Sequence, residues 1–266
     1  MREKSASQQG EELAHDFRTR LHLDVDPLGG VSAFMAIAGF DVVVRDMSDG
    51  LAALTVKDPL TQKLVIGVAT SRWPYRQIFS IAHEIGHIEA GDISAQAHEY
   101  RCAKRSPEEI RADSFARNLL CPIGAVKATA QSFSGNSVDL LAKLVQRYRV
   151  SPSVAAIQMK NAGLIDEAEF ADLKRFSARD LAYQYGWIAQ YDADVAQSRQ
   201  PLTSQQLIMD TVQAYQAGKI SIEAVALVRG LGVEQAQEEM DELSATESQS
   251  SSQTDDPMVQ LSEFFD

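Results

Sequence analysis

The stretch RQIFSIAHEIGHIEAG, Arg76 to Gly91, decides how the rest of the chain is read. It holds no breaker, its apolar residues Ile78, Phe79, Ile81, Ala82 and Ile85 dominate one element, Pro74 suits a first turn and Gly91 an end, so a helix is predicted. Within it, His83-Glu84-Ile85-Gly86-His87 is the pattern H-E-x-x-H. Residues four apart share a helix face, so two imidazoles can converge on one ion. On so apolar a helix, two histidines and a glutamate would be costly to bury unless paired or metal-bound. Neutral imidazole is a good zinc ligand, and Glu84 lies beside the first histidine, where it can serve a water rather than the metal. That combination points to zinc-dependent hydrolysis of a peptide bond, with Glu84 as the base.

A catalytic zinc site usually takes three protein ligands and leaves one position open. The extended H-E-x-x-H-x-x-G-x-x-H pattern is absent, because Ala90 and Ile93 stand where its glycine and third histidine would fall. A carboxylate from another helix is the natural substitute. Ser106-Pro107-Glu108-Glu109 is a helix start, Glu109 opens the next helix, and Asp113 one turn on shares its face, placed to hydrogen-bond a ligand imidazole. Ser106-x-x-Glu109 equally fits a capping box in which the glutamate only reaches back to the Ser106 amide. Glu108 and His98 are the competing ligands, Glu108 reading as a solvent-facing residue and His98 as a loop histidine. His15 and His22 lie far upstream without ligand spacing.

Upstream, Leu13 and Phe17 mark an amphipathic helix over Glu11 to Arg20, and Gly29-Gly30 breaks the chain before the apolar segment Val31 to Ala38. Three β-branched runs read as strands: Phe40 to Arg45, Leu51 to Val56 and Lys63 to Ala69. Their short connections predict an antiparallel meander. Downstream, Glu109 to Leu120 continues as a helix to Cys121-Pro122, and Ser137 to Asn161 reads as a helical pair broken near Val150-Ser151-Pro152. Asp166 to Leu243 reads as helical throughout, with Thr203-x-x-Gln206 as a capping box. Ser244 to Pro257 is too polar to order itself and is predicted to be disordered.

The net charge of -12 offers no general attraction to phosphate backbones or anionic lipid, so direct nucleic-acid binding is not expected. The polar N-terminus lacks a secretory h-region and no long apolar run follows, so no membrane partner and a cytoplasmic location are expected. Cys102 and Cys121 have no C-x-x-C spacing, so neither a disulfide framework nor a cysteine zinc site is indicated, and both read as small core residues.

Three blocks together resemble the ImmA/IrrE family of metallopeptidases: Asp49-Gly50-Leu51-Ala52, RQIFSIAHEIGHI from Arg76 to Ile88, and EIRADSFARNLLCP from Glu109 to Pro122. The last block matches the family's glutamate, Ala-Asp, Phe-Ala and Leu-Leu-Met-Pro positions, with Cys121 in place of methionine. The resemblance implies Zn2+ held by His83, His87 and Glu109, with Glu84 catalytic and Asp113 supporting. It also implies a protein substrate, a helix-turn-helix repressor of the Xre type, in stress or mobile-element regulation. The expected fold is α+β, a small antiparallel sheet packed on zincin-like helices, followed by an all-helical C-terminal module. The expected division is a metallopeptidase domain over 1–125, a helix-turn-helix-like extension over 126–165, a helical module over 166–243 and a disordered tail over 244–266. Two other functions compete. One is a transcriptional regulator using the segment around Lys143, Arg147, Arg149 and Lys160, and the other is a partner-binding module with a structural metal. Tyr100 is a candidate for stabilising the oxyanion.

Overall fold

The computed structural model describes residues 4–36, 40–47, 50–57, 63–92, 98–99 and 106–251. Helix α1 (Ala6–Arg20) starts at Ala6 rather than Glu11, because Ser5 and Gln8 form a reciprocal capping box that the apolar periodicity does not reveal. Then come α2 (Val31–Met35), β1 (Phe40–Arg45), β2 (Ala53–Lys57), β3 (Leu64–Ala69), α3 (Pro74–Ala90), β4 (His98–Glu99) and α4 (Pro107–Leu120). The chain continues through α5 (Ile123–Gln131), α6 (Ser137–Tyr148), α7 (Pro152–Asn161), α8 (Glu167–Leu173), α9 (Ala178–Gln184), α10 (Ile188–Ser198) and β5 (Leu202–Thr203).

The α+β class is as expected, but the sheet is mixed and not a meander. Its order is β4-β2-β3-β1-β5. The β2–β3 hairpin is antiparallel, with Thr55 opposite Ile66, whereas β1 pairs with β3 in parallel, with Val42 also opposite Ile66. The physical reason is burial. Leu64-Val65-Ile66-Gly67-Val68-Ala69 is apolar without alternation, as suits a strand covered on both sides, and it takes the centre of the sheet. Strand β1 therefore packs on the far side of β3 from β2.

Helix α3 lies against this sheet, burying Ile78, Ile81, Ala82 and Ile85 with Val42, Val44, Ile66 and Val68. Two glycines set how closely the helices meet. A Cβ on Gly10 of α1 would stand 2.1 Å from the Arg111 carbonyl oxygen, and one on Gly86 of α3 would stand 3.0 Å from the Ala112 Cα. Both helices thus approach α4 at backbone contact. At the far end of α1, the buried Arg18 guanidinium donates to the carbonyls of Asp24, Leu119 and Asp26, fastening α1 to the end of α4. Burial lowers the pKa of Arg18, and these carbonyls take its N–H groups.

The predicted helical pair is present as α6 and α7, with Arg149 left-handed between them and Ser151 capping α7. The predicted boundaries at 125/126 and 165/166 both fall inside one compact unit, Met1–Ser204. Leu144, Met159, Leu173, Leu181 and Trp187 bury in the same core as α3, which ties those segments together. The second unit, Gln205–Asp266, holds α11 (Gln205–Gln216), α12 (Ile222–Arg229) and α13 (Val233–Ser251) around Val225, Ala226, Ala236 and Met240. Thr203 lies in β5 and α11 starts at Gln205, so the predicted capping box does not form there. Helix α13 reaches Ser251, so the first part of the segment predicted as disordered is helical, and the rest lies outside the described residues.

Candidate metal centre

Helix α3 carries His83, Glu84 and His87, all fully buried. Helix α4 brings a carboxylate to them. Ser106 caps α4 by accepting the Glu109 amide at 3.4 Å, but the Glu109 side chain does not return the contact. Its Oε2 lies 3.3 Å from His83 Nε2 and its Oε1 3.4 Å from His87 Nε2. Glu108 is exposed, and its carboxyl pKa is lowered first by a hydrogen bond with Ser106. The close approach at Gly86, which lies between the two histidines in sequence, gives a short carboxylate this reach.

The two Nε2 atoms stand 3.1 Å apart. Tetrahedral ligand atoms about 2.0–2.1 Å from a metal ion stand roughly 3.3 Å from one another, close to the spacing of the two Nε2 atoms and to the distance at which each of them meets one of the two Glu109 oxygens. One nitrogen or oxygen atom from each of His83, His87 and Glu109 falls within 4.8 Å of the other two. The donor set, two imidazoles and one carboxylate, therefore fits a divalent metal cation.

The other ring nitrogens face carboxylates. His83 Nδ1 is 3.0 Å from Asp113 Oδ1, and His87 Nδ1 is 3.4 Å from Asp92 Oδ2. The hydrogen bond with Asp113 holds the proton at His83 Nδ1 and leaves its Nε2 lone pair for an ion, whereas Asp92 faces His87 Nδ1 at ion-pair distance without hydrogen-bond geometry between those two atoms. Asp92 is itself held by Arg111 Nη2 at 2.6 Å. Sequence reasoning found Asp113 and missed Asp92. The available signal was Gly91: it ends α3 in the left-handed conformation, with φ of 73°, and the Asp92 amide then folds back to the His87 carbonyl at 3.0 Å. Thr55 was also missed. Its hydroxyl donates to Glu84 Oε2 at 2.5 Å from the neighbouring strand β2, a contact that only the sheet register creates.

Burial alone would lower the pKa of His83, but hydrogen bonds that its ring donates to Asp113 and Glu109 outweigh it and raise the value to about 9. The cradle thus favours positive charge between the imidazoles and carboxylates. His15 and His22 line a separate cavity beside α1 and do not join this cluster. The His98 backbone pairs with Thr55 in β4. Tyr100 and Cys102 lie outside the described residues, and Cys121 is buried in the core.

Residues 37–160 match the family model Peptidase_M78, described as the IrrE N-terminal-like domain. No curated protein matches the chain.

Proposed function

Residues 37–160 belong to the IrrE N-terminal-like family of metallopeptidases, and from that premise we propose that the chain is a zinc-dependent endopeptidase acting on a folded regulatory protein. The observation that carries this reading is the convergence of His83 Nε2, His87 Nε2 and Glu109 beside a buried Glu84 that a neighbouring strand holds in place. Zinc in such a donor set supplies a Lewis acid that polarises a carbonyl and acidifies water. Asp113 orients the His83 imidazole by a hydrogen bond, and the Asp92 carboxylate lies beside the imidazole of His87. Thr55 fixes the Glu84 carboxylate, which takes the proton of the attacking water and returns it to the departing amide nitrogen.

The proposed substrate is a helix-turn-helix repressor of the Xre type, in stress or mobile-element regulation, which implies a cytoplasmic site of action. Among the described residues no helix is long and apolar enough to cross a membrane. The alternative of a nucleic-acid-binding regulator finds less support. Helix α7, which would have to read bases, buries Val154, Ala155, Ala156, Gln158 and Met159. Its neighbouring cations are engaged locally, Arg149 with Asp194 at 3.2 Å and Lys160 with Glu167 at 2.5 Å.

Glu84→Gln tests the proposal, because it keeps the volume and removes the base. Metal analysis should find zinc retained, while cleavage of an Xre-type repressor should fall by about 10²–10⁴-fold. Loss of zinc would make Glu84 a ligand or its support. Unchanged cleavage with zinc retained would move proteolysis away from this site.

A further inference from the structure

Beside the metal centre, a depression of about 210 Å³ opens between the ends of β2 and β3 and the first turns of α3. Leu51, Ala52 and Ala69 form its apolar wall, Gln77 and Ser80 its floor, and Arg76 and Trp73 its rim. It is aligned with the catalytic carboxylate along two elements at once. Gln77 and Glu84 are two helical turns apart on one face of α3, about 10 Å by helix rise. Ala52 lies three residues along the chain from Thr55, the residue that holds Glu84, which is again roughly 10 Å of extended backbone. An extended peptide covers that distance in roughly three residues.

The polar groups of the depression select among side chains. Gln77 is 3% exposed, and its Nε2 donates to the carbonyls of Ala69 and Ser198, both at 2.9 Å. Both partners only accept, so the amide orientation is fixed and Oε1 is an acceptor. Among the described residues that buried oxygen has no hydrogen-bond partner. A carboxylate would bring it only further acceptors. At the rim stand Arg76 and Trp73, whose ring is 47% exposed and has the Arg72 guanidinium 5.0 Å over it. The Arg76 guanidinium disfavours an incoming lysine or arginine, while the indole and the Leu51 wall suit a planar ring.

We propose that this depression is a specificity subsite for the peptide substrate, taking a neutral planar side chain with a hydrogen-bond donor, tyrosine before glutamine, about three residues from the cleaved bond. The inference rests on the endopeptidase reading above and adds which residues choose the substrate: Gln77 by its acceptor, Arg76 by its charge and Trp73 by its ring.

The test uses the zinc-loaded full chain and a synthetic library of randomised peptides, with cut sites mapped by mass spectrometry. At the third position on one side of the cut, the parent should favour tyrosine over phenylalanine at least about fivefold, the scale of one hydrogen bond. Gln77→Met should bring that ratio close to one. Arg76→Glu and Trp73→Ala change exposed residues and keep the test open if Gln77→Met fails to fold. The first should raise lysine and arginine acceptance at that position at least about fivefold, and the second should lower selection of aromatic residues there. As a readout independent of turnover, Glu84→Gln protein should enrich the same tyrosine-bearing peptides by affinity selection, and Gln77→Met,Glu84→Gln should not. Cleavage without any preference at that position, or a preference that none of these substitutions moves, overturns the subsite while leaving the peptidase in place. Failure of the parent to cut any library member or the repressor removes the endopeptidase reading, and this subsite with it.

Discussion

Residues up to Ser204 and the helices from Gln205 to Ser251 are both largely helical, yet their interiors differ in depth. The first unit has one continuous core, from Ala14 on α1 to Tyr191 on α10, and it encloses polar groups such as His83, Glu84, His87 and Gln158. In the second, the fully enclosed apolar side chains are Val225, Ala226, Ala236 and Met240, while Met209, Leu227, Val233 and Leu243 are exposed. A buried ion site needs a surrounding mass that resists collapse and holds each ligand in one rotamer, and only the first unit provides it. The second unit is where local opening should begin.

Met240→Ala puts that contrast under the largest strain. Removing a buried methionine costs about 2–5 kcal/mol, most of the stability a unit this small can have. Hydrogen exchange should show amides across Gln205 to Ser251 losing protection while those of α3 and α4 keep theirs. Equal loss in α3 would mean that the two interiors unfold together.

Zinc sharpens the difference from the other side. At about 100 times its dissociation constant the ion should stabilise the first unit by about 2.7 kcal/mol and leave the second unchanged. In calorimetry, Glu109→Ala should abolish that shift and Glu108→Ala should preserve it. The reverse outcome would give the third ligand to Glu108.

Two glycine substitutions make a smaller, paired test. Gly86→Ala improves helix propensity but places a Cβ 3.0 Å from the Ala112 Cα and 3.1 Å from Phe115, and such overpacking costs about 1–3 kcal/mol. Net destabilisation with weakened zinc binding is expected. Gly232→Ala in the second unit meets nothing within 4 Å and should leave the thermal midpoint unchanged or slightly higher.

The smallest effect concerns Cys121, whose thiol burial pushes up from about 9 to about 12. Its folded pKa exceeds its unfolded one, so its contribution to stability is full below about pH 9 and is lost as pH rises toward about 12. At pH 8.5, peptide mapping after alkylation should find Cys121 unmodified in the native protein and modified once it is unfolded.

The helix α3 was legible because its signal is local: an apolar face, a proline at its start, a glycine at its end and two histidines one turn apart. Glu109 was half legible. Its capping arithmetic allowed either role, and the choice depended on how near α3 comes, which Gly86 sets from another segment. Thr55 was invisible because it meets Glu84 only through sheet register. The parallel pairing of β1 with β3 was missed for a related reason, since short connections argue for hairpins and say nothing about which strand wants the centre. The unit boundary near Ser204 escaped notice because α8 to α10 have the same helical periodicity as α11 to α13, and the core each enters is a long-range property.

The Gly91-Asp92 turn has a consequence for anyone transplanting this chemistry. Five residues of H-E-x-x-H set on a foreign helix would carry the donors without the carboxylate that faces His87, which the chain places there by reversing just past the helix end. A non-glycine residue at 91 would resist the left-handed turn by about 1–2 kcal/mol and swing the aspartate away. The smallest portable cassette is therefore the segment from His83 through Asp92, helix terminus included, and a graft that prolongs the helix past Ala90 would give up the negative charge beside His87.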